Sequence, residues 1–182
     1  MIAFVVSGRP QPKERAAPDK FGNMRTPEAT LIAERHVEEL SRKAMRGLAP
    51  LAGAVRLSLN IIFETPASWN KAQKIAAIEG KMPHVSTPDA DNVLKMISDG
   101  MNGIVYYDDA QVAELFVRKR YGQGERVEVM VDTIAAPENH PALRELQKRI
   151  SSGKYALPVG QQRRRRPRAK PPETISIGKR IK

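Results

Sequence analysis

The chain has 182 residues, 41% of them hydrophobic, so it can bury one ordinary core with residues left over. It has no cysteine, which excludes disulfides and thiolate zinc sites and is typical of a reducing, cytosolic environment. The opening MIAFVV has no basic residues before it, so we expect no secretory signal. No apolar run reaches the roughly 18 residues of a membrane span, so we expect no membrane anchor.

The positive charge of the chain is concentrated at its C-terminal end. The formal net charge is +11, and residues 158–182 carry nine Lys and Arg against Glu173 alone. The remaining 157 residues hold 22 basic and 19 acidic side chains, which is almost a balance. A basic chain with acidic clusters in its folded part is expected of a metal-dependent enzyme that acts on nucleic acid.

The first part of the chain predicts a strand, a long loop and a helix. Residues 2–6 are apolar and β-branched, which indicates a buried strand. Residues 8–26 are rich in Pro, Gly and basic side chains, and a loop of this length is usually functional or disordered. Thr26 is the predicted N-cap of a helix that has Pro27 at its first position and ends at Gly47. The side chains expected to face the core are Ile32, Val37, Leu40, Ala44 and Leu48.

A central strand is predicted at 55–64, where alternating apolar residues become a continuous apolar run. Residues 66–87 then form an insertion, with Trp69 as a packing anchor and a helical segment at 71–79 that could lie as a flap over the site. Residues 111–121 and 126–134 are predicted to pair as a hairpin. We expect a domain at 1–134, a short helical extension at 135–157 and a basic, largely unstructured tail at 158–182.

The stretch from 88 to 112, PDADNVLKMISDGMNGIVYYDDAQV, carries the candidate chemistry. On a helical wheel of about 100° per residue its apolar and polar side chains separate onto opposite faces, which predicts an amphipathic helix. Asp91, Lys95 and Asp99 lie one turn apart on the polar face. Asp89 precedes the helix, and Asp108 and its neighbour Asp109 follow after a turn that contains glycine.

Two pairs of carboxylates that converge on one point are a suitable site for a hard divalent cation such as Mg²⁺. A bound cation removes the repulsion between like charges, activates water and neutralises charge on a scissile phosphate. Lys95, one turn beyond Asp91, is placed to stabilise the same charge or to orient the water. Each acidic pair taken alone is better explained by helix capping, a surface ion pair or a simple turn, and only their combination favours a metal site. A calcium-binding loop is excluded, because counting from Asp89 puts Leu94 where glycine is required.

The order P-D-x-D-N-x-x-K-x-x-x-D-x-x-N-G-x-x-Y-x-D-D-x-Q-V resembles the RusA family of Holliday-junction resolvases, which has many bacteriophage members. Gly8-x-Pro10-x-Pro12-Lys13-x-Arg15, Thr26-Pro27 and Pro66-x-Ser68-Trp69 resemble the phage-type members as well. The resemblance covers about residues 2–134. It implies an α+β fold of two layers, a mixed sheet with helices packed on it in the order β-α-β-α-β-β. The extension from about residue 135 departs from the shorter members of the family.

The resemblance also implies roles for single residues. Asp89, Asp91 and Asp109 match the essential metal-binding carboxylates, Asp108 the neighbouring acid and Lys95 the catalytic lysine. Asn92 and Asp99 match motif positions expected to support the site. The implied cofactor is Mg²⁺ or Mn²⁺, and the implied protein is a homodimer that cuts four-way junction DNA in the cytoplasm of a bacterial or phage-infected cell.

Phosphate contacts are expected from basic side chains outside the acidic stretch, although these are equally compatible with solvated surface. The candidates are Lys13, Arg15, Lys71, Lys74, Arg118 and Arg120. The Arg-rich tail allows a second hypothesis, a non-catalytic DNA-binding protein in which the acidic cluster is structural and the tail supplies the function.

Overall fold

The structure, a computed structural model, describes residues 1–137 and 140–155. Four strands form the main sheet: β1 (Ile2–Ser7), β4 (Val55–Phe63), β5 (Val112–Tyr121) and β6 (Arg126–Thr133). Two short strands, β2 (Ala17–Pro18) and β3 (Met24–Arg25), form a small separate hairpin. The helices are α1 (Glu28–Met45), α2 (Lys71–Ile78), α3 (Ala90–Met101) and α4 (Pro141–Ser151), with a 3-10 helix at Asp109–Gln111. The predicted α+β class, a mixed sheet with packed helices, is confirmed.

The predicted hairpin of 111–121 with 126–134 is wrong, because β4 lies between the two strands. The sheet order is β1-β6-β4-β5, with β4 parallel to β5 and antiparallel to β6. The apolar run of β4 favours this central position. The short connection from β5 to β6 therefore passes over the end of β4, where the Gly122 amide donates to the Phe63 carbonyl at 2.9 Å. A Cβ at residue 122 would lie 2.7 Å from the Ile62 side chain, so glycine is needed at this crossing.

Helix α1 begins one residue later than the sequence predicts. Pro27, not Thr26, is the N-cap residue, and no side chain caps this end. The backbone of Pro27 is extended (φ −54°, ψ 144°), so the first helical residue is Glu28. The other end agrees with the prediction, since Arg46 adopts a left-handed conformation and Gly47 follows it at φ +81°.

The stripe of α1 that faces the core is only partly the one predicted. Val37 is buried as expected, and Leu40 and Ala44 are half-buried. Ile32 and Leu48 are 59% and 65% exposed, however, and the other buried residues of the helix are Thr30, Ser41 and Met45. The reason is a close crossing with α3, where a Cβ at Gly100 would lie only 2.7 Å from the Val37 Cβ. Small side chains allow this approach, and the larger Ile32 and Leu48 do not face it.

The core lies between the helices and one face of the sheet. Alternate side chains of β4, Val55, Leu57, Leu59 and Ile61, are buried there, together with Val93, Ile97 and Met101 of α3. Helix α3 is thus fixed on the sheet by its apolar face, and its polar face turns outward. No helix of the described residues is long and apolar enough to cross a membrane. The predicted basic tail, 158–182, lies outside the described residues.

Candidate active site

The first acidic pair lies at the start of α3. Asp89 occupies the N-cap position with extended backbone but makes no side-chain capping bond, and Asp91 lies in the first turn. Both residues are exposed, and within the described residues neither carboxylate accepts a hydrogen bond or forms an ion pair. Two anionic oxygen ligands at the positive end of a helix are therefore available to a cation or to water.

The segment before Asp89 is held in place by Lys119 of β5. The Lys119 ammonium donates to the carbonyl oxygens of Ser86 and Pro88, at 2.7 Å and 3.0 Å. This contact holds the chain directly before Asp89, the first predicted ligand. No sequence signal indicates it, since Lys119 stands between two arginines as one member of a basic row.

The polar face of α3 carries a network of charges. The ammonium group of Lys95 is 3.8 Å from a carboxylate oxygen of Asp99, and Lys13 lies 2.8 Å from the other oxygen. Lys13 also pairs with Glu34 of α1, and its amide donates to the Asn92 carbonyl at 2.8 Å. Partial burial works to lower the pKa of Lys13, but the bonds and charges of the two carboxylates outweigh it and raise that pKa. Asp99 therefore contacts both Lys95 and Lys13, and through Lys13 it links α3 to the N-terminal loop.

The turn after α3 is organised by a buried glutamine. The side-chain oxygen of Gln111 accepts from the amides of Tyr107 and Asp108, at 2.8 Å and 3.0 Å. Its side-chain nitrogen donates to the carbonyls of Leu51 and Gly53, at 2.7 Å and 2.8 Å. A buried amide with all four bonds made specifies one backbone arrangement. Sequence reasoning included Gln111 in the motif but assigned it no role.

Tyr106 links the same turn back to α3. Its side chain is fully buried, and its hydroxyl contacts the Ser98 hydroxyl at 2.9 Å and donates to the Ser98 carbonyl at 3.1 Å. Burial, with smaller effects from the charges of Asp109 and Asp99, raises the pKa of Tyr106 to about 12. The phenol is therefore neutral at physiological pH and serves as a structural link.

The second acidic pair differs from the first. Asp108 caps the 3-10 helix, since its Oδ1 accepts from the Ala110 amide at 3.0 Å, and its Oδ2 accepts from the Tyr155 hydroxyl at 2.7 Å. The hydrogen bond from the Ala110 amide, and after it the one from the Tyr155 hydroxyl, lower the pKa of Asp108, so this carboxyl is charged at neutral pH. Asp109 follows in the 3-10 helix and is exposed.

Within residues 1–137 and 140–155, the structure contains no group of three or more acidic or histidine side chains close enough to hold a metal ion. The predicted ligands lie at the two ends of α3. Asp89 and Asp91 lie at its start, and Asp108 and Asp109 lie in the turn after its end. The oxygen chemistry of the first pair nevertheless fits Mg²⁺. This ion keeps several waters and is usually bound by one or two carboxylates together with substrate phosphates.

The predicted phosphate contacts are distributed over different surfaces. Lys13 is bound to carboxylates as described above, and Arg15 is exposed in the N-terminal loop. Lys71 and Lys74 lie on α2, where Lys74 donates to the Ala67 carbonyl at 3.2 Å. Arg118 and Arg120 line a cavity of about 980 Å³ on the sheet face opposite to α3, and Arg120 donates to Asn60 at 3.0 Å. None of the predicted acidic ligands lines this cavity.

An aromatic cluster anchors the insertion between β4 and α3. The ring of His84 stacks on Phe63 at 4.2 Å and lies 4.7 Å from Tyr121, which contacts Trp69 at 5.1 Å. Burial, and then the charge of Lys119, lower the pKa of His84, so the imidazole is neutral at pH 7. The prediction that Trp69 is a packing anchor is confirmed, since it packs against the core cluster.

Comparison with known proteins identifies the family of this chain. The family model "Endodeoxyribonuclease RusA" matches residues 7–132, which include every acidic residue of the site. The chain belongs to the RusA family. It is also 30% identical over 141 residues to the "Uncharacterized protein YqaN" of Bacillus subtilis (strain 168), an alignment that covers 74% of this chain and 98% of that protein. Family membership implies that the protein acts on Holliday-junction DNA as an endonuclease. Helix α4 lies outside the matched residues.

Proposed function

We propose that this RusA-family protein is a Mg²⁺-dependent endonuclease that resolves four-way DNA junctions, in recombination and repair, by paired cleavage of phosphodiester bonds. The observation that carries the proposal is the start of α3. Asp89 and Asp91 present two carboxylates there that have no partner among the described residues, and Lys95 lies one turn further along the same face. An ordinary helix cap or a surface ion pair does not require two carboxylates without a hydrogen-bond partner and a lysine on the same helix face.

In this mechanism Asp89, Asp91 and Asp109 would hold the divalent ion, with Asp108 beside them. When bound, the ion supplies charge neutralisation at the scissile phosphate and a more acidic water. The Lys95 side chain is 63% exposed, which allows its ammonium group to reach a phosphate oxygen and stabilise negative charge as it develops. Asp99, 3.8 Å from that ammonium group, restricts its positions, and Lys119 keeps the chain before Asp89 from moving.

A homodimer follows from the symmetry of the substrate. A four-way junction has two strands to be cut at equivalent positions, and two identical sites related by a two-fold axis match that arrangement.

We expect this activity in the cytoplasm, because the DNA of a bacterial or phage-infected cell is found there.

The experiment is cleavage of a synthetic four-way junction beside a linear duplex of matched sequence, each with Mg²⁺, with Mn²⁺ and with EDTA. The proposal expects paired nicks in the junction that require the ion, and little cutting of the duplex. Equal cutting of both substrates would contradict junction selectivity. Binding of the junction without any cutting would instead favour a DNA-binding protein with a structural acidic cluster.

A further inference from the structure

The segment that follows the C-terminal helix contributes a side chain to the predicted acidic site. Helix α4 lies beyond residues 7–132, which match the family model. After it ends, the chain continues to Tyr155, whose hydroxyl lies 2.7 Å from the Asp108 Oδ2. The proposed mechanism gives this contact no task.

Three features make the contact specific. A hydrogen bond from a phenol to a charged carboxylate is among the stronger ones in proteins. The Tyr155 ring lies against the Tyr107 ring, with centroids 5.9 Å apart, so the hydroxyl is not carried by a freely rotating side chain. Arg149, which also pairs with Glu145 at 3.4 Å, lies close enough for its charge to act on both the phenol and Asp108.

The bond acts on the turn that carries Asp109. Asp108 uses Oδ1 to cap the Ala110 amide, so fixing its other oxygen fixes the whole carboxylate and the cap with it. From the opposite side, Gln111 ties the turn to the carbonyls at 51 and 53. Asp109, whose side chain is exposed, is thus carried by a backbone held from two directions.

We propose that Tyr155 is a positioning residue of the nuclease site, which holds Asp109 in place by fixing Asp108. The inference rests on the proposed function. It gives Asp108 a role different from that of a metal ligand, since both carboxylate oxygens already accept hydrogen bonds from the protein. It also makes α4 part of the site, although the extension was expected to lie outside the nuclease domain.

The first test compares full-length wild type with Tyr155→Phe, which removes the hydroxyl and keeps the ring on Tyr107. The expected result is a fall in kcat of about tenfold or more for junction cleavage, with KM within about twofold, because orientation at the reacting centre is impaired while the DNA contacts remain. Tyr107→Phe is the matched control. It removes a hydroxyl from the same ring pair, one that forms no hydrogen bond among the described residues, and it is expected to cut at the wild-type rate.

A second test asks whether the effect passes through Asp108. In Asp108→Asn the side-chain oxygen can still accept from the Ala110 amide, and the side-chain nitrogen can donate to the Tyr155 hydroxyl oxygen, whereas Asp108→Ala removes both bonds. The Asn variant is therefore expected to retain at least about tenfold more kcat. Adding Tyr155→Phe to Asp108→Ala is expected to cause no further loss. Equal kcat for the Asn and Ala variants would overturn the inference, as would a full additional loss in the double variant.

These outcomes are separate from those that test the proposed function. Failure of the wild type to cut any junction refutes the nuclease itself. A wild type that cuts and a Tyr155→Phe variant that cuts with the same kcat refute only the positioning role. If Tyr155→Phe does not fold, as judged by circular dichroism, the comparison of the two Asp108 variants decides the question.

Discussion

The two predicted acidic pairs have the same composition, but one member of the second pair, Asp108, has surroundings that both members of the first pair lack. At the start of α3, Asp89 and Asp91 are exposed and accept no hydrogen bond within the described residues. After α3, Asp108 is bound by the Ala110 amide and the Tyr155 hydroxyl, in a turn fixed by Gln111. A carboxylate available for a metal and a carboxylate that builds the site therefore look alike in sequence. They differ in the hydrogen bonds that they accept from neighbouring groups.

The largest effect is expected from the available carboxylates. Asp89→Asn, Asp91→Asn and Asp109→Asn should each lower junction cleavage by at least about a thousandfold, because each removes a metal charge worth several kcal/mol of barrier. Junction binding should be unchanged or tighter, since repulsion against phosphate is removed as well. Cleavage rates and gel-shift affinities measure the two effects.

Asp132→Asn is the matched control for that series, because Asp132 lies on β6 and pairs only weakly, at 3.7 Å, with the N-terminus. It should cut at the wild-type rate. Wild-type cutting by any two of the three site variants would remove the metal-site assignment. A loss in the Asp108→Asn variant equal to theirs would mean that Asp108 does not differ in function from the other three carboxylates.

The next largest effect is expected at Lys95. Lys95→Ala should lower kcat by about a hundredfold or more, because a positioned cation at a developing charge is typically worth a few kcal/mol. Its stability should change little, since the side chain is 63% exposed and its nearest acidic oxygen is 3.8 Å away. Lys43→Ala, on the last turn of α1, provides a control for removal of one helix-surface charge. If the two variants cut equally, Lys95 is only a surface residue.

A smaller effect, on stability, tests how α3 is positioned. Gly100→Ala should destabilise the fold by about 1–3 kcal/mol, because the new methyl group would lie 2.7 Å from the Val37 Cβ and 3.1 Å from the Glu34 carbonyl oxygen. Thermal or urea unfolding measures the change. Gly53→Ala is the control, since nothing lies within 4 Å of a Cβ there. Equal stability of the two variants would show that α3 can move away from α1 without cost.

Helix α3 and the central strand β4 were well predicted from sequence, because both depend on local periodicity over an apolar core. Prediction failed where the outcome depends on non-local geometry. The segments 111–121 and 126–134 have the pattern of a hairpin, and only the position of β4 in the sheet excludes their pairing. The buried side of α1 is set by its contact with Gly100, which no pattern within α1 reveals.

The same limit applies to the site. Candidate site residues could be named because acidic pairs and a lysine at helical spacing have a chemical meaning in sequence, and their roles stay predictions. Lys119 and Tyr155 were missed because their partners lie 31 and 47 residues away in sequence, and their roles are visible only as hydrogen bonds. Arg118 and Arg120 were grouped with the site by charge alone, and the structure places them on the other face of the sheet.

The smallest effect on cleavage at low salt is expected from the tail. Truncation after Tyr155 removes the dense basic segment at 163–170 and retains every residue that the structure describes, including the bond to Asp108. Cutting at low salt should therefore persist. Binding to all DNA should weaken, because each phosphate that the tail no longer neutralises reduces the slope of log affinity against log salt by about 0.9.

The measurement is the affinity for junction and for matched duplex across a salt series, with full-length and truncated protein. The slope should fall by several units for both substrates, and the ratio of junction to duplex affinity should stay the same, since contacts between basic side chains and phosphates carry no information about DNA shape. An unchanged slope would mean that the tail does not contact DNA. A loss of junction preference would mean that it recognises the branched structure, and the site around α3 would then supply cleavage alone.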